Sequence, residues 1–229
     1  DKPIVGGTPV GSPDIYPWLV ALRTADDKNG HCGGSLITPT KILTAAHCTV
    51  GVQLSTFKAY YHRYDTKLRP ERENATTFKV KKFIVHPKYT DASNGYDIAI
   101  WDVERVSGPI PTKFAKLDDG SASVLKEGQS LTVAGWGTIS TNGPPSSVLL
   151  ETTVPMTSKD VCLKAYPSLA GVPSAFCAGY PEGGKDSCQQ DSGGPAFVKN
   201  EDGTVTVAGI VSFGTGCALA GYPGVYATV

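Results

Sequence analysis

The sequence has no apolar run near the roughly 18 residues that a membrane helix requires, and it has no charge imbalance. Its 229 residues include 21 Lys and Arg against 21 Asp and Glu, so no overall field favours nucleic acid or an anionic membrane as a partner. The chain also lacks a basic, apolar leader at its start, which predicts that any secretory signal has already been removed. These absences predict a protein that binds neither nucleic acid nor a membrane.

Six cysteines are spread along the chain, and no two of them form a Cys-x-x-Cys pair. They are Cys32, Cys48, Cys162, Cys177, Cys188 and Cys217. Metal sites usually place two ligands within a few residues, and here only the adjacent pairs His31-Cys32 and His47-Cys48 come that close, which argues against zinc. An even and widely spaced set is typical of structural disulfides in an oxidising compartment, although spacing alone leaves every pairing open.

Short β-rich segments dominate the chain, and 26 Gly and 17 Pro residues separate them. Strands are predicted at 18–22, 41–45, 58–61, 78–85, 98–103, 130–135, 148–154 and 204–212. A cap at 158–160 predicts one short helix that runs through Tyr166. Many short strands with frequent turns are typical of a sandwich or barrel. A candidate linker at 107–112 divides the chain into two halves of similar length.

Positive charge is concentrated in the first half of the chain. Residues 58–88 hold nine Lys or Arg and three acidic residues. Such a run is usually a solvated face, and the alternative is a docking patch for an acidic partner.

Three short motifs hold residue types that can act together on an amide: TAAHC at 44–48, DIAI at 97–100 and DSGGP at 191–195. Each motif alone is weak, because a histidine beside a cysteine or a serine among glycines is usually structural. Together they offer Ser192 as nucleophile, His47 as general base and Asp97 as the carboxylate that orients the base. A serine hydroxyl is too weakly acidic to attack an amide unaided, so an imidazole must take its proton and later pass it to the leaving amine.

These motifs stand among others whose order and spacing resemble the chymotrypsin-trypsin family of serine proteases over nearly the whole chain. The others are IVGG at 4–7, GGSL at 33–36, GWG at 135–137 and PGVY at 223–226. The resemblance implies an all-β fold of two six-stranded antiparallel β-barrels with the active site in the cleft between them. It implies that residues 1–109 carry His47 and Asp97 and that residues 110–229 carry Ser192 and the specificity pocket. The implied disulfides are Cys32–Cys48, Cys162–Cys177 and Cys188–Cys217.

The resemblance also implies a preference for basic side chains. Asp186 lies six residues before Ser192, where trypsin-like members keep a carboxylate at the base of the S1 pocket, and a buried carboxylate favours a cation. Gly214 and Gly224 match small residues that leave such a pocket open. The further positions implied to contact the substrate or the triad aspartate are Ser187, Ser212 and Phe213, the last standing where the family usually has tryptophan.

One departure from the family lies beside the nucleophile, where GDSGG is replaced by QDSGG at 190–194. The resemblance implies an oxyanion hole made by the backbone N–H groups of Gln190 and Ser192. A residue other than glycine must accept backbone strain there or flip its peptide. We expect the hole to survive or to form when substrate binds.

A second departure lies at the start. Family members become active when the amino group of the residue matching Ile4 is freed and pairs with the residue matching Asp191. Here Asp1-Lys2-Pro3 precedes Ile4, so Ile4 has an amide and no charge. The sequence therefore resembles a zymogen or unprocessed form, and the cut after Pro3 predicts a separate activating protease.

The sequence thus predicts a secreted, monomeric, trypsin-like serine endopeptidase that cleaves proteins or peptides after Arg or Lys through an acyl-enzyme. It predicts no cofactor and no metal. Calcium is not expected because Glu71 and Glu73 are too few, among many basic residues, for the calcium loop of some relatives. The alternative is a non-catalytic serine protease homologue that acts as a binding or decoy protein. Gln190 and the blocked Ile4 favour this alternative, whereas the intact triad and Asp186 oppose it.

Overall fold

The computed structural model describes residues 4–120 and 124–229, and the secondary structure of these residues is almost entirely β. The strands are β1 (Thr8–Pro9), β2 (Leu19–Thr24), β3 (Gly30–Thr38), β4 (Lys41–Thr44), β5 (Phe57–Tyr61), β6 (Thr76–Val85), β7 (Ala99–Ser107), β8 (Ser130–Gly135), β9 (Leu150–Pro155), β10 (Ala175–Ala178), β11 (Pro195–Lys199), β12 (Val205–Phe213) and β13 (Gly224–Thr228). One helix, α1, spans Lys159–Ala165, and short 3₁₀ turns lie between several strands.

Strands β2 to β7 close into an antiparallel barrel in the order β2-β3-β4-β7-β6-β5. Large apolar side chains fill its interior, and Leu22, Phe78 and Trp101 are fully buried there. The indole N–H of Trp101 donates to Thr49 Oγ1 at 2.9 Å, so this buried donor is satisfied.

The second half forms a seven-stranded antiparallel sheet in the order β1-β9-β8-β11-β12-β13-β10. Its own core includes Leu131, Val154 and Tyr226 together with Ile4 from the start of the chain. The predicted trypsin-like, all-β architecture is confirmed, with two differences in the second half. Its sheet has seven strands, and it is open instead of forming a closed barrel, although Met156 forms a bridge with Ala178. The seventh strand is β1, which comes from the amino-terminal segment and pairs with β9. The division at residues 109 and 110 stays a prediction.

The six cysteines form the three pairs that the resemblance implies. The disulfides are Cys32–Cys48, Cys162–Cys177 and Cys188–Cys217. They close loops of 16, 15 and 29 residues, and each is worth about 3 kcal/mol in the chain-entropy model. The predicted helix is also confirmed, because Ser158 caps α1 by accepting a hydrogen bond from the N–H of Val161. No described helix has the length and apolar character needed to cross a membrane.

Arg63 lies in the middle of the basic run, yet its side chain is fully buried. Its Nη2 donates to Asp27 Oδ2 at 2.7 Å and to the Leu68 carbonyl at 2.9 Å, and its Nε lies 3.7 Å from Glu73 Oε2. Glu73 in turn accepts the backbone N–H of Tyr64. The basic run is therefore not a uniformly solvated face, because its central arginine fixes the surrounding loop from inside.

Candidate active site

The predicted base and its carboxylate lie side by side because they flank neighbouring strands. His47 lies on the 3₁₀ turn Ala46–Cys48 after β4, and Asp97 lies two residues before β7. In the barrel, Thr44 of β4 pairs with Ala99 of β7. His47 Nδ1 donates to Asp97 Oδ2 at 2.6 Å, and the backbone N–H of His47 donates to Asp97 Oδ1 at 2.9 Å. These two bonds fix the ring and leave Nε2 for a reacting partner.

Ser212 completes the surroundings of Asp97. Its Oγ donates to Asp97 Oδ2 at 2.6 Å, and the carboxylate is only 1% exposed. Burial pushes the pKa of Asp97 upward, but the hydrogen bonds from His47 and Ser212 more than offset it and hold the pKa below its usual range. Asp97 is therefore ionised at neutral pH, as a partner of a charged imidazole must be.

Ser192 lies in a glycine-rich turn that packs against the first barrel. Its carbonyl accepts the N–H of Gly33 at 2.8 Å, and the next residue, Gly193, has a φ of +83° and no room for a side chain. The sulfur of Cys48 lies 3.6 Å from the Ser192 carbonyl oxygen and 3.9 Å from His47 Nε2. Among the described residues, Ser192 Oγ makes no hydrogen bond with His47, a contact that catalytic pairs often tighten only when substrate binds.

The backbone beside Ser192 presents two unpaired N–H groups. The N–H groups of Asp191 and Gly193 donate to backbone carbonyls, whereas those of Gln190 and Ser192 have no acceptor within the described part of the chain. Gln190 has a φ of +72°, in the left-handed region that favours glycine. A non-glycine residue in this region stores about 1–3 kcal/mol of strain. The backbone of Gln190 is therefore strained rather than flipped, and its N–H remains available to an oxyanion.

A cavity of about 210 Å³ opens beside Ser192 between residues 186–192 and 211–224. The predicted substrate-binding residues all line it: Asp186, Ser187, Ser212, Phe213, Gly214 and Gly224. The structure therefore brings the predicted nucleophile and the predicted specificity residues to one opening.

Asp186 supplies a buried carboxylate to this cavity and is 4% exposed. Its Oδ2 accepts the N–H of Ala218 at 3.0 Å, while its Oδ1 has no hydrogen-bond partner among the described residues. Burial raises the pKa of Asp186 to about 6, although the N–H of Ala218 and the neighbouring Ser187 act to lower it. An unpaired carboxylate oxygen in a buried site strongly favours a cationic ligand.

The walls of the cavity depend on two glycines. A Cβ on Gly224 would lie 2.8 Å from Asp186 Oδ1, so a side chain there would cover the carboxylate. A Cβ on Gly214 would meet nothing closer than the Tyr166 hydroxyl at 3.6 Å, which is an ordinary contact. Phe213 packs edge-on against the ring of Tyr166, with their centroids 5.5 Å apart.

Asp191 is sealed inside the protein next to the turn that holds Ser192. Its Oδ1 accepts the N–H of Gly137 at 2.8 Å, and its Oδ2 accepts that of Cys188 at 2.9 Å. Desolvation raises the pKa of Asp191 to about 7, because these two N–H groups compensate only part of the burial. Ile4 is fully buried. Residues 1–3, on which the predicted zymogen state depends, lie outside the described residues.

One group of potential metal ligands occurs in the described part of the chain, and its chemistry does not suit a metal. The donor atoms of His31, Cys32 and Cys48 lie within 4.8 Å of one another. However, both sulfurs are consumed in the Cys32–Cys48 disulfide, and His31 Nε2 donates to the Cys48 carbonyl at 2.7 Å. The group therefore offers no thiolate to an ion.

Sequence reasoning missed several supporting contacts. The hydroxyl of Tyr226 lies 3.2 Å from Ser187 Oγ at the back of the cavity, and Ala218 holds Asp186 by its backbone. Gln189 also lines the cavity. Tyr226 belongs to the PGVY motif, so the sequence marks the residue, but its contact depends on how β13 lies beside the pocket.

Comparison with known proteins agrees with this geometry. Residues 4–229 match the family model described as Trypsin. Among similar proteins, a trypsin of Saccharopolyspora erythraea is 40% identical over 99% of this chain and 93% of its own length. Trypsin 5G1 of Aedes aegypti is 38% identical over 99% of this chain and 80% of its own length. A venom protease of Bombus pensylvanicus is 35% identical over 99% of this chain and 94% of its own length. The chain therefore belongs to the trypsin family and is a serine endopeptidase.

Proposed function

We propose that this endopeptidase cleaves proteins or peptides after Arg or Lys. The observation that carries the proposal is Asp186 Oδ1, which has no partner within the described residues and belongs to the lining of a cavity that opens beside Ser192. An acidic or apolar side chain would leave this oxygen without a partner, whereas a guanidinium or ammonium group would pair with it.

In the proposed mechanism, Ser192 Oγ attacks the carbonyl carbon while His47 Nε2 takes its proton. Asp97 stabilises the imidazolium that results, and the N–H groups of Gln190 and Ser192 bind the oxyanion. The tetrahedral intermediate collapses when the C–N bond breaks and His47 gives its proton to the departing amine. Water then hydrolyses the acyl-enzyme by the same route in reverse, and the serine is regenerated.

We further propose that full activity requires a cut after Pro3 by another protease, followed by pairing of the freed Ile4 amine with Asp191. The support is the buried Asp191 carboxylate, which lacks a cation among its described contacts, and the burial of Ile4 in the second core. Three disulfides and the similarity to a venom protease support secretion. We propose that the enzyme acts as a monomer.

The test compares peptide p-nitroanilides that end in Arg, Lys or citrulline, the last being a neutral analogue of Arg. The enzyme would be a chain beginning at Ile4, with Asp186→Asn as the matched variant. We expect kcat/KM for Arg to exceed that for citrulline by about 10²-fold or more, and the difference to collapse in Asp186→Asn. Equal cleavage of Arg and citrulline by the parent chain would overturn the specificity.

The alternative from the sequence, a non-catalytic binding protein, would require that the strained backbone of Gln190 disables the oxyanion hole. A fluorophosphonate label distinguishes the two, because it reacts only with a serine activated by its base and oxyanion hole. An adduct on Ser192, absent in Ser192→Ala, supports the endopeptidase. Failure of a folded chain beginning at Ile4 to react supports the binding protein.

A further inference from the structure

The side chain of Gln190 lies over Gly30, the first residue of β3. A Cβ on Gly30 would lie 2.6 Å from Gln190 Oε1 and 3.6 Å from Gln190 Cδ. The backbone of Gly30 is not among the left-handed residues, so its conformation does not require glycine. Glycine matters at this position because the missing side chain leaves room for the Gln190 carboxamide.

The Gln190 carboxamide forms no hydrogen bond with any residue that the structure describes. Its neighbour Gln189 differs, since its Oε1 accepts from Thr138 Oγ1 at 2.7 Å and from the N–H of Asn142 at 3.3 Å. A carboxamide has two donor hydrogens and one acceptor oxygen, the same groups that a peptide backbone offers and needs. Gln190 is half-buried, so these groups remain accessible to a bound peptide.

The position of Gly30 places this carboxamide on the side of the general base. Next to Gly30 is His31, whose Nε2 donates to the carbonyl of Cys48, the residue after His47. The cavity that receives the basic side chain lies in the second half of the chain instead. Because His47 protonates the leaving amine in the proposed mechanism, the leaving segment passes on the side of the first barrel.

We propose that the Gln190 carboxamide, seated over Gly30, hydrogen-bonds the backbone of the first residues after the cleaved bond. The length of the leaving segment is then a determinant of specificity. This inference rests on the proposed function, and it adds a contact on the opposite side of the scissile bond from Asp186. One hydrogen bond of ordinary strength raises kcat/KM by about three- to tenfold.

The experiment uses peptides that share one acyl part ending in Arg and differ in their leaving segment, which is either one alanine amide or three alanines and an amide. An Arg p-nitroanilide reports cleavage without a peptide leaving segment. The quantity measured is the ratio of kcat/KM for the long peptide to that for the short one. We expect about three- to tenfold for the parent chain, and a ratio near one for Gln190→Met, which keeps side-chain length and loses the hydrogen bonds.

Gly30→Val tests whether the space over Gly30 is needed, because the valine side chain would fill the space that the Gln190 carboxamide occupies. Gly30→Ala is a milder change that can be used if the valine variant folds poorly. Both should lower the ratio. Gln53→Met, at an exposed glutamine that does not line the cavity, is the control and should keep it. A long-to-short kcat/KM ratio near one for the parent chain, or an unchanged ratio in Gln190→Met, would overturn this inference. Cleavage of the Arg p-nitroanilide in the same experiment would leave the proposed function intact. No cleavage of any Arg substrate by the chain beginning at Ile4 would overturn both.

Discussion

Gly224 and Asp186 lie against each other in the lining of the cavity, where the lack of a side chain on Gly224 leaves Asp186 Oδ1 uncovered. A methyl group at 2.8 Å from that oxygen would occupy the place of a substrate cation. Specificity for basic side chains therefore depends on this glycine as much as on the carboxylate.

We expect Gly224→Ala to lower kcat/KM for an Arg p-nitroanilide by about tenfold or more, because the methyl group separates the substrate cation from Asp186. Gly214→Ala is the matched control, since its Cβ has no neighbour closer than 3.6 Å, and we expect a smaller loss. Steady-state kinetics of the two variants decide the point. Equal losses would show that the cation does not approach Asp186 past Gly224.

The pKa of Asp186, about 6, predicts a pH-dependent affinity for small cations. Benzamidine binds best to the ionised carboxylate, so its affinity should be flat above about pH 6 and should fall by about tenfold per pH unit well below it. Calorimetric titration of Ser192→Ala with benzamidine measures this without interference from turnover. The Asp186→Asn variant should bind weakly at every pH. A flat profile for the carboxylate-containing chain down to about pH 4 would contradict the assignment.

Removal of Arg63 should be costly, because Glu73 would remain buried without its cation. We expect Arg63→Met to lower the free energy of unfolding by about 3–5 kcal/mol, measured by urea denaturation with the disulfides intact. The control is Lys79→Met, which breaks an ion pair with Glu104 at 3.3 Å between two half-exposed side chains. That change should cost less than about 1 kcal/mol. Similar losses in the free energy of unfolding for the two variants would mean that the buried network around Arg63 does not stabilise the fold.

Release of the Ile4 amine should stabilise the fold in a defined pH window. In the longer chain, the pKa of Asp191 is about 7, above its unfolded value of about 4, so the folded state loses stability as pH rises between these values. An ammonium group paired with Asp191 lowers this pKa and removes the loss. We therefore expect the chain beginning at Ile4 to have a Tm about 5 °C or more higher at about pH 7, with the difference fading toward about pH 4.

The control for this comparison is the same chain with an acetylated Ile4, which has equal length and no amino charge. It should behave like the longer chain. If the free and acetylated chains had the same Tm at neutral pH, the Ile4–Asp191 pair would be excluded.

The strand pattern of the sequence predicted much of the fold, and its failures have a common cause. Strands with alternating or continuous apolar residues, such as β6 and β12, were predicted within a few residues. Five strands were missed, and each contains glycine, proline or cysteine, which breaks the apolar pattern: β1, β3, β10, β11 and β13. Gly33 and Gly224 lie where the backbone approaches the site closely, so packing against neighbours, not local propensity, determines the structure there.

For the site, family motifs predicted which residues come together, and the structure adds how they are held. His47 and Asp97 are fifty positions apart, and only the pairing of β4 with β7 explains their contact. The contact of Gln190 with Gly30 was not predictable, because it depends on a positive φ at one residue and an empty space on another element. The raised pKa of Asp186 likewise follows from burial, which a sequence motif does not report.

The strand β1 has a consequence for how the two halves stay together. Each of the three disulfides joins cysteines on the same side of the candidate linker at 107–112, so no disulfide crosses it. By contrast, Thr8 and Pro9 reach over to Glu151 and Leu150, and Ile4 is buried in the second core. The amino-terminal segment, residues 4–9, thus packs against the second half of the chain and ties the first half to it. If the enzyme were made as two pieces divided at the linker, this segment would add to the other contacts between them, such as that of Gly33 with Ser192. The segment proposed to switch on catalysis would then also help to hold the two pieces together.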